Sequence, residues 1–171
     1  MVREHGPTRA LLVVLAVAGQ RHALNAASVD EVLPWLPVQP LALAPPAIVG
    51  VIDYRGTVVP VVDLCRLLAG RDTRRWLASR IAVVRIGPPE RSRRVGLLAE
   101  GCTLMRPDLA SAQPALHRPD APYLGPVLQD EAGLLQTLDP ERLLDVALID
   151  ALLGPSAEAS QDRPEALPDG R

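Results

Sequence analysis

Hydrophobic residues in this chain fall into short runs that alternate with turn-forming residues. The runs are rich in Val, Leu and Ile, and β-branched residues at this density favour extended strands over helices. The runs predicted to form strands or strand pairs are 11–17, 21–25, 48–62, 81–86, 94–99, 101–105, 123–129 and 134–138. Many short strands with few helices indicate an all-β fold with barrel-like closure.

Capping signals predict three helices between these strands. Ser28 and Glu31 form a capping box in front of a short helix, which Pro34 ends. Asp63 is a suitable N-cap for a second short helix. Asp139, followed by a proline at the first helical position, is predicted to open a longer C-terminal helix.

The chain is predicted to hold one domain, over residues 10–153, that is divided into two β lobes. A change of composition at 69–79 places lobe one at about 22–79, with added pairing from the other terminus, and lobe two at about 80–138. Residues 154–171 are rich in Ala, Ser, Pro, Asp and Glu, a composition that predicts a disordered tail.

The segment 48–64 organises the rest of the chain. Two runs of β-branched residues flank Arg55-Gly56, and Gly56 can adopt a positive φ, so the two residues are predicted to form the tip of a tight hairpin. Pro60 lacks a backbone N–H and should therefore lie at an edge, at a bulge or where strand pairing ends. The hairpin would present one cation on a rigid support, which is typical of a contact surface and not of a catalytic centre.

Arg55 allows two interpretations. It can be a charge that keeps the hairpin tip soluble, or a hydrogen-bonding cation in a protein-docking site. The planar guanidinium carries five donors and is weakly hydrated, and Arg is frequent among the residues that dominate interface energies.

Composition excludes several function classes. The net charge of −2 over 171 residues gives no general attraction to nucleic acid or to an anionic membrane. The Arg-rich stretch 71–94 can be a solvated basic face, a docking patch for an acidic protein or a nucleic-acid surface, and the last lacks interleaved aromatic residues for base stacking. Cys65 and Cys102 match no metal-binding spacing and are expected to be free thiols.

Motifs that carry catalysis are missing from the sequence. There is no Gly-rich phosphate loop, no Gly-x-Ser-x-Gly and no His-Glu-x-x-His. The adjacent acids at 30–31 and 130–131 would not face each other on a helix or turn, so capping and solvation explain them better than acid–base work. We therefore expect no enzymatic activity, no cofactor and no metal.

The N-terminal apolar run leaves an alternative open. Residues 10–18 follow two arginines and end in small residues, as in a secretory signal peptide, but the run continues into a turn and a second strand. A strand is the preferred interpretation. If the run is instead a signal sequence, the protein is an exported small β-domain that acts as a binding module.

Residues 50–64 closely resemble the signature of CheW-like coupling proteins of bacterial chemotaxis. In that family a Gly-Val-x-Asn-x-Arg-Gly hairpin leads into a Val-Pro-Val-x-Asp-Leu strand. The likeness continues, by order and spacing, in 11–25, 29–32, 94–101 and 123–139.

The resemblance implies two small five-stranded, SH3-like β-barrels that pack together with a hydrophobic groove between them. It also implies a non-enzymatic adaptor that connects the cytoplasmic domain of a methyl-accepting chemoreceptor to a CheA-type histidine kinase. Such a protein is cytoplasmic, lies at receptor arrays and meets the membrane only through the receptor.

The resemblance also implies partner-binding residues. Arg55 matches the family's receptor-contacting Arg, and Glu31 and Val29 match an acidic and an apolar position of the same region. Asp53 and Tyr54 replace the usual Asn and an aliphatic residue, as in couplers of alternative, Wsp-type surface-sensing arrays. The candidate partner-binding residues are Val29, Glu31, Asp53, Tyr54, Arg55 and Gly56.

Overall fold

The computed structural model describes residues 10–108, 112–114, 119–144 and 146–154 and shows a mainly β protein with two five-stranded sheets. Sheet A contains β1 (Leu12–Val17), β2 (Gln20–Asn25), β8 (Gly101–Met105), β9 (Leu124–Asp130) and β10 (Gly133–Leu138), in the order β8-β1-β2-β10-β9. Sheet B contains β3 (Val29–Pro34), β4 (Ile48–Tyr54), β5 (Thr57–Asp63), β6 (Arg80–Ile86) and β7 (Arg93–Ala99), in the order β3-β6-β7-β5-β4.

The predicted fold class, mainly β with two five-stranded units, is confirmed. Within the described residues neither sheet closes into a barrel by backbone pairing, because β8 and β9 remain the edges of sheet A and β3 and β4 the edges of sheet B.

Three short α-helices accompany the sheets in the described part of the chain. They are α1 (Leu64–Ala69), α2 (Pro140–Leu143) and α3 (Val146–Leu153). None of the described helices is long and apolar enough to cross a membrane.

The predicted lobe boundaries, about 22–79 and 80–138, are wrong. All strands of sheet B lie between residues 29 and 99, whereas sheet A combines the strands at 12–25 with those at 101–138. The composition change at 69–79 marks α1 and the connector after it, which form part of the crossover between the parallel strands β5 and β7. A parallel pair needs such a long connection, so the shift in composition lies inside one sheet.

The prediction of a helix after Ser28 is also wrong. The chain makes a short 3-10 turn over Ala26–Ser28, capped by Asn25, and then enters β3, which pairs with β6 from Val29 to Pro34. Pairing with a neighbouring strand outweighs a local capping signal, and Pro34 is tolerated at the end of an edge strand.

The C-terminal helix begins where the sequence predicts but is interrupted. The Asp139 side chain accepts a hydrogen bond from the Glu141 N–H at 3.0 Å, which caps α2. Leu144 then adopts an extended conformation, with φ −139° and ψ 135°, and the chain resumes as α3. Of the predicted tail, 154–171, everything after Gly154 lies outside the described residues.

Most core strands are buried on both faces. One cluster fills the contact between the two sheets, and each sheet has a further cluster on its other face. In β1, for example, Val13 and Leu15 join the shared cluster, whereas Leu12 and Val14 join the cluster belonging to sheet A. Burial on both sides explains the continuous aliphatic runs, because no face of these strands is left for water.

Glu100 lies where the chain passes from sheet B to sheet A. Its carboxylate accepts hydrogen bonds from the Ala18 N–H at 3.1 Å and the Arg71 guanidinium at 2.9 Å. The hydrogen bond from Arg71 holds the pKa of the Glu100 carboxyl below its ordinary value. One carboxylate thus connects the β1–β2 turn, the strand crossing and the Arg-rich connector.

Asp63 is a buried carboxylate, 3% exposed, at the end of the central hairpin. As predicted, it caps α1: its Oδ1 accepts from the Cys65 and Arg66 N–H groups at 2.9 and 3.2 Å. It also binds Thr73, accepting from the backbone N–H at 2.9 Å and from the hydroxyl at 2.6 Å. Hairpin, helix and connector are therefore tied to one side chain.

His22 is a buried histidine, 4% exposed, in the middle of sheet A. Its Nδ1 atom has no hydrogen-bond partner among the described residues. Burial lowers its pKa from 6.5 to about 4, so the imidazole is neutral at physiological pH.

We expect Asp63→Ala to lower the free energy of unfolding by about 2–4 kcal/mol, because it removes a cap and leaves buried donors unpaired. Chemical denaturation measures this value. Asp139→Ala is the matched control, since it removes an N-cap from an exposed helix start and should cost about 1 kcal/mol. Equal losses in the two variants would contradict the central role of Asp63.

We expect His22 to make stability depend on pH. Between its unfolded pKa of 6.5 and its folded pKa of about 4, the unfolded chain binds a proton that the folded protein does not. Stability should therefore fall as the pH falls through this window, by up to about 3 kcal/mol from this residue alone. Denaturation at several pH values, compared with His22→Leu, isolates the effect; parallel curves for the two proteins would refute it.

Candidate functional site

The predicted hairpin tip is present. Strands β4 and β5 pair up to Tyr54 and Thr57, and the two residues between them have positive φ, 54° at Arg55 and 78° at Gly56. These angles belong to a type I′ turn, whose twist matches that of the flanking strands. The Asp53 carboxylate accepts a hydrogen bond from the Gly56 N–H at 2.7 Å and fixes the turn.

Backbone hydrogen bonds to neighbouring segments on both sides keep the hairpin in place. Pro60 directly precedes the residues of β5 that pair with β7, so its missing N–H falls where that pairing ends, as predicted. On the other side, Gln39 and Val51 exchange backbone hydrogen bonds of 2.9 and 2.8 Å. A side chain at Gly50 would place its Cβ 2.1 Å from the Gln39 carbonyl oxygen, so only glycine permits this approach.

Glu31 is the centre of the site. Its Oε2 atom accepts a hydrogen bond from the Tyr54 hydroxyl at 2.9 Å and another from Arg55 Nη2 at 2.8 Å. Glu31 belongs to β3 and Tyr54 to β4, the two edge strands of sheet B. A carboxylate therefore joins two strands that have no backbone hydrogen bonds to each other.

Tyr54 spans the core and the surface. It is 7% exposed and packs in the cluster on the face of sheet B that points away from sheet A, which includes Ile52 and Val59. Its hydroxyl reaches Glu31. Burial and then the hydrogen bond to Glu31 raise the pKa of Tyr54 above its ordinary value of 10, so the hydroxyl remains a donor at neutral pH.

Two guanidinium groups lie against the Tyr54 ring. The Cζ atom of Arg55 is 5.2 Å from the ring centroid and that of Arg94 is 6.0 Å away, within the range of a cation–π contact. Asp30 forms ion pairs with Arg94 at 2.9 Å and with Arg85 at 2.7 Å. An open depression of about 490 Å³ is lined by Asp30, Tyr54, Arg55, Thr57 and Arg94.

The structure brings together most of the predicted residues. Glu31, Tyr54 and Arg55 are in direct contact, and Asp53 and Gly56 shape the turn beside them. Val29, in contrast, is half-buried and packs against the cluster between the sheets, so it supports the strand that carries Glu31.

Sequence reasoning missed Asp30, Arg85 and Arg94. The sequence analysis explains the pair Asp30–Glu31 by capping and solvation, since it predicts a helix over 28–33. The two arginines were counted in the basic stretch, although Arg85 is exposed within the otherwise buried strand β6. That single polar position in an apolar run was the available signal.

The arrangement is suited to contact. The Arg55 side chain is 74% exposed and Glu31 37%, and an exposed ion pair of this kind contributes only about 0–1 kcal/mol to stability. The described residues contain no group of three or more side chains that could hold a metal ion. What the tip offers is a fixed pattern of charges on a rigid hairpin.

Comparison with solved structures places the fold. The crystal structure of the scaffolding protein TtCheW from Thermoanaerobacter tengcongensis matches with a TM-score of 0.72 and 19% sequence identity, over 92% of this chain and 98% of that one. At this identity the likeness establishes the architecture.

Sequence comparison gives two relatives. Chemotaxis protein CheW of Rhizobium meliloti strain 1021 is 33% identical over 89 residues, 52% of this chain and 55% of the relative. Probable chemotaxis protein CheW of Rhizobium etli is 33% identical over 57 residues, 33% of this chain and 37% of that protein. The chain thus spans about half the length of the first relative and about a third of the second.

A family model also matches most of the chain, and its match spans the hairpin and all the described strands of both sheets. It is that of the CheW-like domain and matches residues 11–148. The chain belongs to the CheW-like domain family.

Proposed function

We propose that this protein is a non-enzymatic adaptor that couples the cytoplasmic signalling domain of a methyl-accepting chemoreceptor to a CheA-type histidine kinase. The proposal rests on the family and on the relatives, which are described as chemotaxis proteins and as a scaffolding protein. An adaptor needs no chemistry of its own: it holds two partners in one geometry and passes population shifts between them.

The observation that carries the proposal is the Arg55 tip. A type I′ turn fixes the backbone, Glu31 orients the guanidinium, and most of the side chain still faces solvent. An ordered, exposed arginine on a rigid support loses little conformational entropy on docking, and Arg is enriched among interface hot spots.

The receptor is the partner we assign to this tip. A receptor hairpin is a helical bundle, and an adaptor can take one of its helices in the helix-in-groove mode, with Arg55 fixing the register.

The apolar groove between the lobes stays a prediction, as do the place of the protein in receptor arrays and its membership of a Wsp-type system. Asp53 and Tyr54 at the tip are the residues that favour the Wsp-type subtype.

The alternative, an exported binding module, requires cleavage near Ala18. Residues 12–17 form β1, which pairs with β2 on one side and β8 on the other, and cleavage would remove this strand from the middle of sheet A. The buried side chains of Leu12 to Leu15 would be lost from two core clusters. No feature of the hairpin tip favours this alternative.

We expect Arg55→Ala to weaken binding to the purified cytoplasmic signalling domain of a chemoreceptor from the same organism by about 1–3 kcal/mol, as for a hot spot. The fold should be unaffected, because an exposed ion pair contributes little to stability. Isothermal titration calorimetry measures the affinity, and thermal unfolding checks the fold.

Arg142→Ala is the matched control. Arg142 also forms an exposed ion pair, with Asp139 at 3.3 Å, but it lies on α2, which follows the strands of sheet A. Its replacement should leave receptor affinity unchanged. If a folded Arg55→Ala variant bound the receptor as well as the unchanged protein, the tip would not be the docking site.

A further inference from the structure

Tyr54 contacts three charged side chains of the site but is itself almost hidden. Its hydroxyl donates to Glu31 at 2.9 Å, and its ring lies under the guanidinium groups of Arg55 and Arg94. Yet Tyr54 is only 7% exposed, whereas the Arg55 side chain is 74% exposed. A docking partner would therefore meet Arg55 and not Tyr54.

The geometry makes the two hydrogen bonds to Glu31 interdependent. Tyr54 and Arg55 donate to the same oxygen, Oε2. The Tyr54 ring is locked among apolar side chains of sheet B, so its hydroxyl is a fixed point, whereas Glu31 and Arg55 are partly exposed and have several rotatable bonds. The tyrosine hydroxyl selects one position of the carboxylate, and the carboxylate then selects one position of Arg55.

We propose that Tyr54 is a positioning residue of the docking site: it fixes the Glu31 carboxylate, which in turn holds Arg55 in its docking orientation. This inference rests on the proposed function and changes the role of Tyr54 from a predicted partner-binding residue to one that acts through Glu31 and Arg55 without touching the partner. An aliphatic residue at position 54 would fill the same apolar space but would leave both Glu31 and Arg55 free to reorient.

The same contacts connect the tip to the neighbouring ion pairs. Arg94 also lies near the Tyr54 ring and is paired with Asp30, which also binds Arg85. Tyr54 thus contacts both the Glu31–Arg55 pair and Arg94, which is paired with Asp30. Asp30, Tyr54, Arg55 and Arg94 line the same depression.

The test is a double-mutant cycle on affinity for the purified chemoreceptor signalling domain. Tyr54→Phe keeps the ring and removes only the hydroxyl. We expect it to raise Kd about 2–10-fold, the cost of ordering one long side chain on binding. In the Arg55→Ala background the same change should raise Kd no further, because the side chain that Tyr54 positions is gone.

Tyr123→Phe is the matched control. It makes the same chemical change at the other tyrosine of the chain, which packs against the cluster between the sheets, and should leave Kd unchanged. Thermal unfolding of all variants separates a loss of fold from a loss of orientation.

The outcomes distinguish this inference from the proposed function. If Arg55→Ala weakens binding but Tyr54→Phe does not, or if the two effects simply add, Tyr54 has no positioning role and the adaptor function stands. If Arg55→Ala has no effect in a folded protein, the assignment of the tip as a docking site fails, and this inference fails with it.

A spectroscopic measurement tests the hydrogen bond without a partner. In a Tyr123→Phe background Tyr54 is the only phenol in the chain, so ultraviolet titration of phenolate formation reports on it alone. Its pKa should lie above 10, and Glu31→Gln should lower it, because both the hydrogen bond to the carboxylate and its negative charge favour the protonated phenol. An identical titration with and without the Glu31 carboxylate would overturn the inference.

Discussion

The hydrogen bonds to Glu31 connect the two edge strands of sheet B where the backbone does not. The sheet curls until β3 and β4 face each other, and Tyr54 and Arg55 close the remaining gap through one carboxylate oxygen. Sheet A has a related device: Arg21 on β2 binds Asp130 on β9 with two bonds of 2.7 Å and lies 3.6 Å from the Met105 sulfur on β8. Side chains thus connect the edge strands that backbone pairing leaves apart in each sheet. In sheet B this closing contact is also the candidate docking site.

The position of the site follows from the composition of the core. With no Phe in the chain, volume is filled by aliphatic side chains, and most core strands are buried on both faces. Polar groups with a defined geometry can therefore collect only at strand ends, turns and sheet edges. The tip of the β4–β5 hairpin is a strand end, a turn and part of a sheet edge at the same time. Its type I′ turn fixes the backbone at Arg55.

Local signals predicted the parts of the structure that local interactions determine. The Arg55-Gly56 tip, the Asp63 cap and the start of α2 at Asp139 each depend on a few neighbouring residues, and each was predicted from sequence. Tertiary pairing decided the rest. Ser28 and Glu31 form a capping box in sequence, yet Val29–Pro34 form a strand because they pair with β6. The sheets divide the chain at 25–29 and at Glu100 and not at the composition change. The same error concealed Asp30, which a helix would have pointed to solvent.

The likeness in fold at 19% identity shows that this arrangement of strands tolerates extensive sequence change. Differences in partner choice within such a family are then expected in side chains at the surface and not in the path of the backbone. At this tip the backbone is fixed by the turn and by the Asp53 carboxylate, while the orientation of Arg55 is set by Glu31 and, through it, by Tyr54. An exposed ion pair contributes little to folding, so a change in the Glu31–Arg55 contact can alter the geometry offered to a partner at little cost in stability, whereas the buried Tyr54 ring also belongs to the core. Selection on docking and selection on folding therefore act on different atoms of the same hairpin.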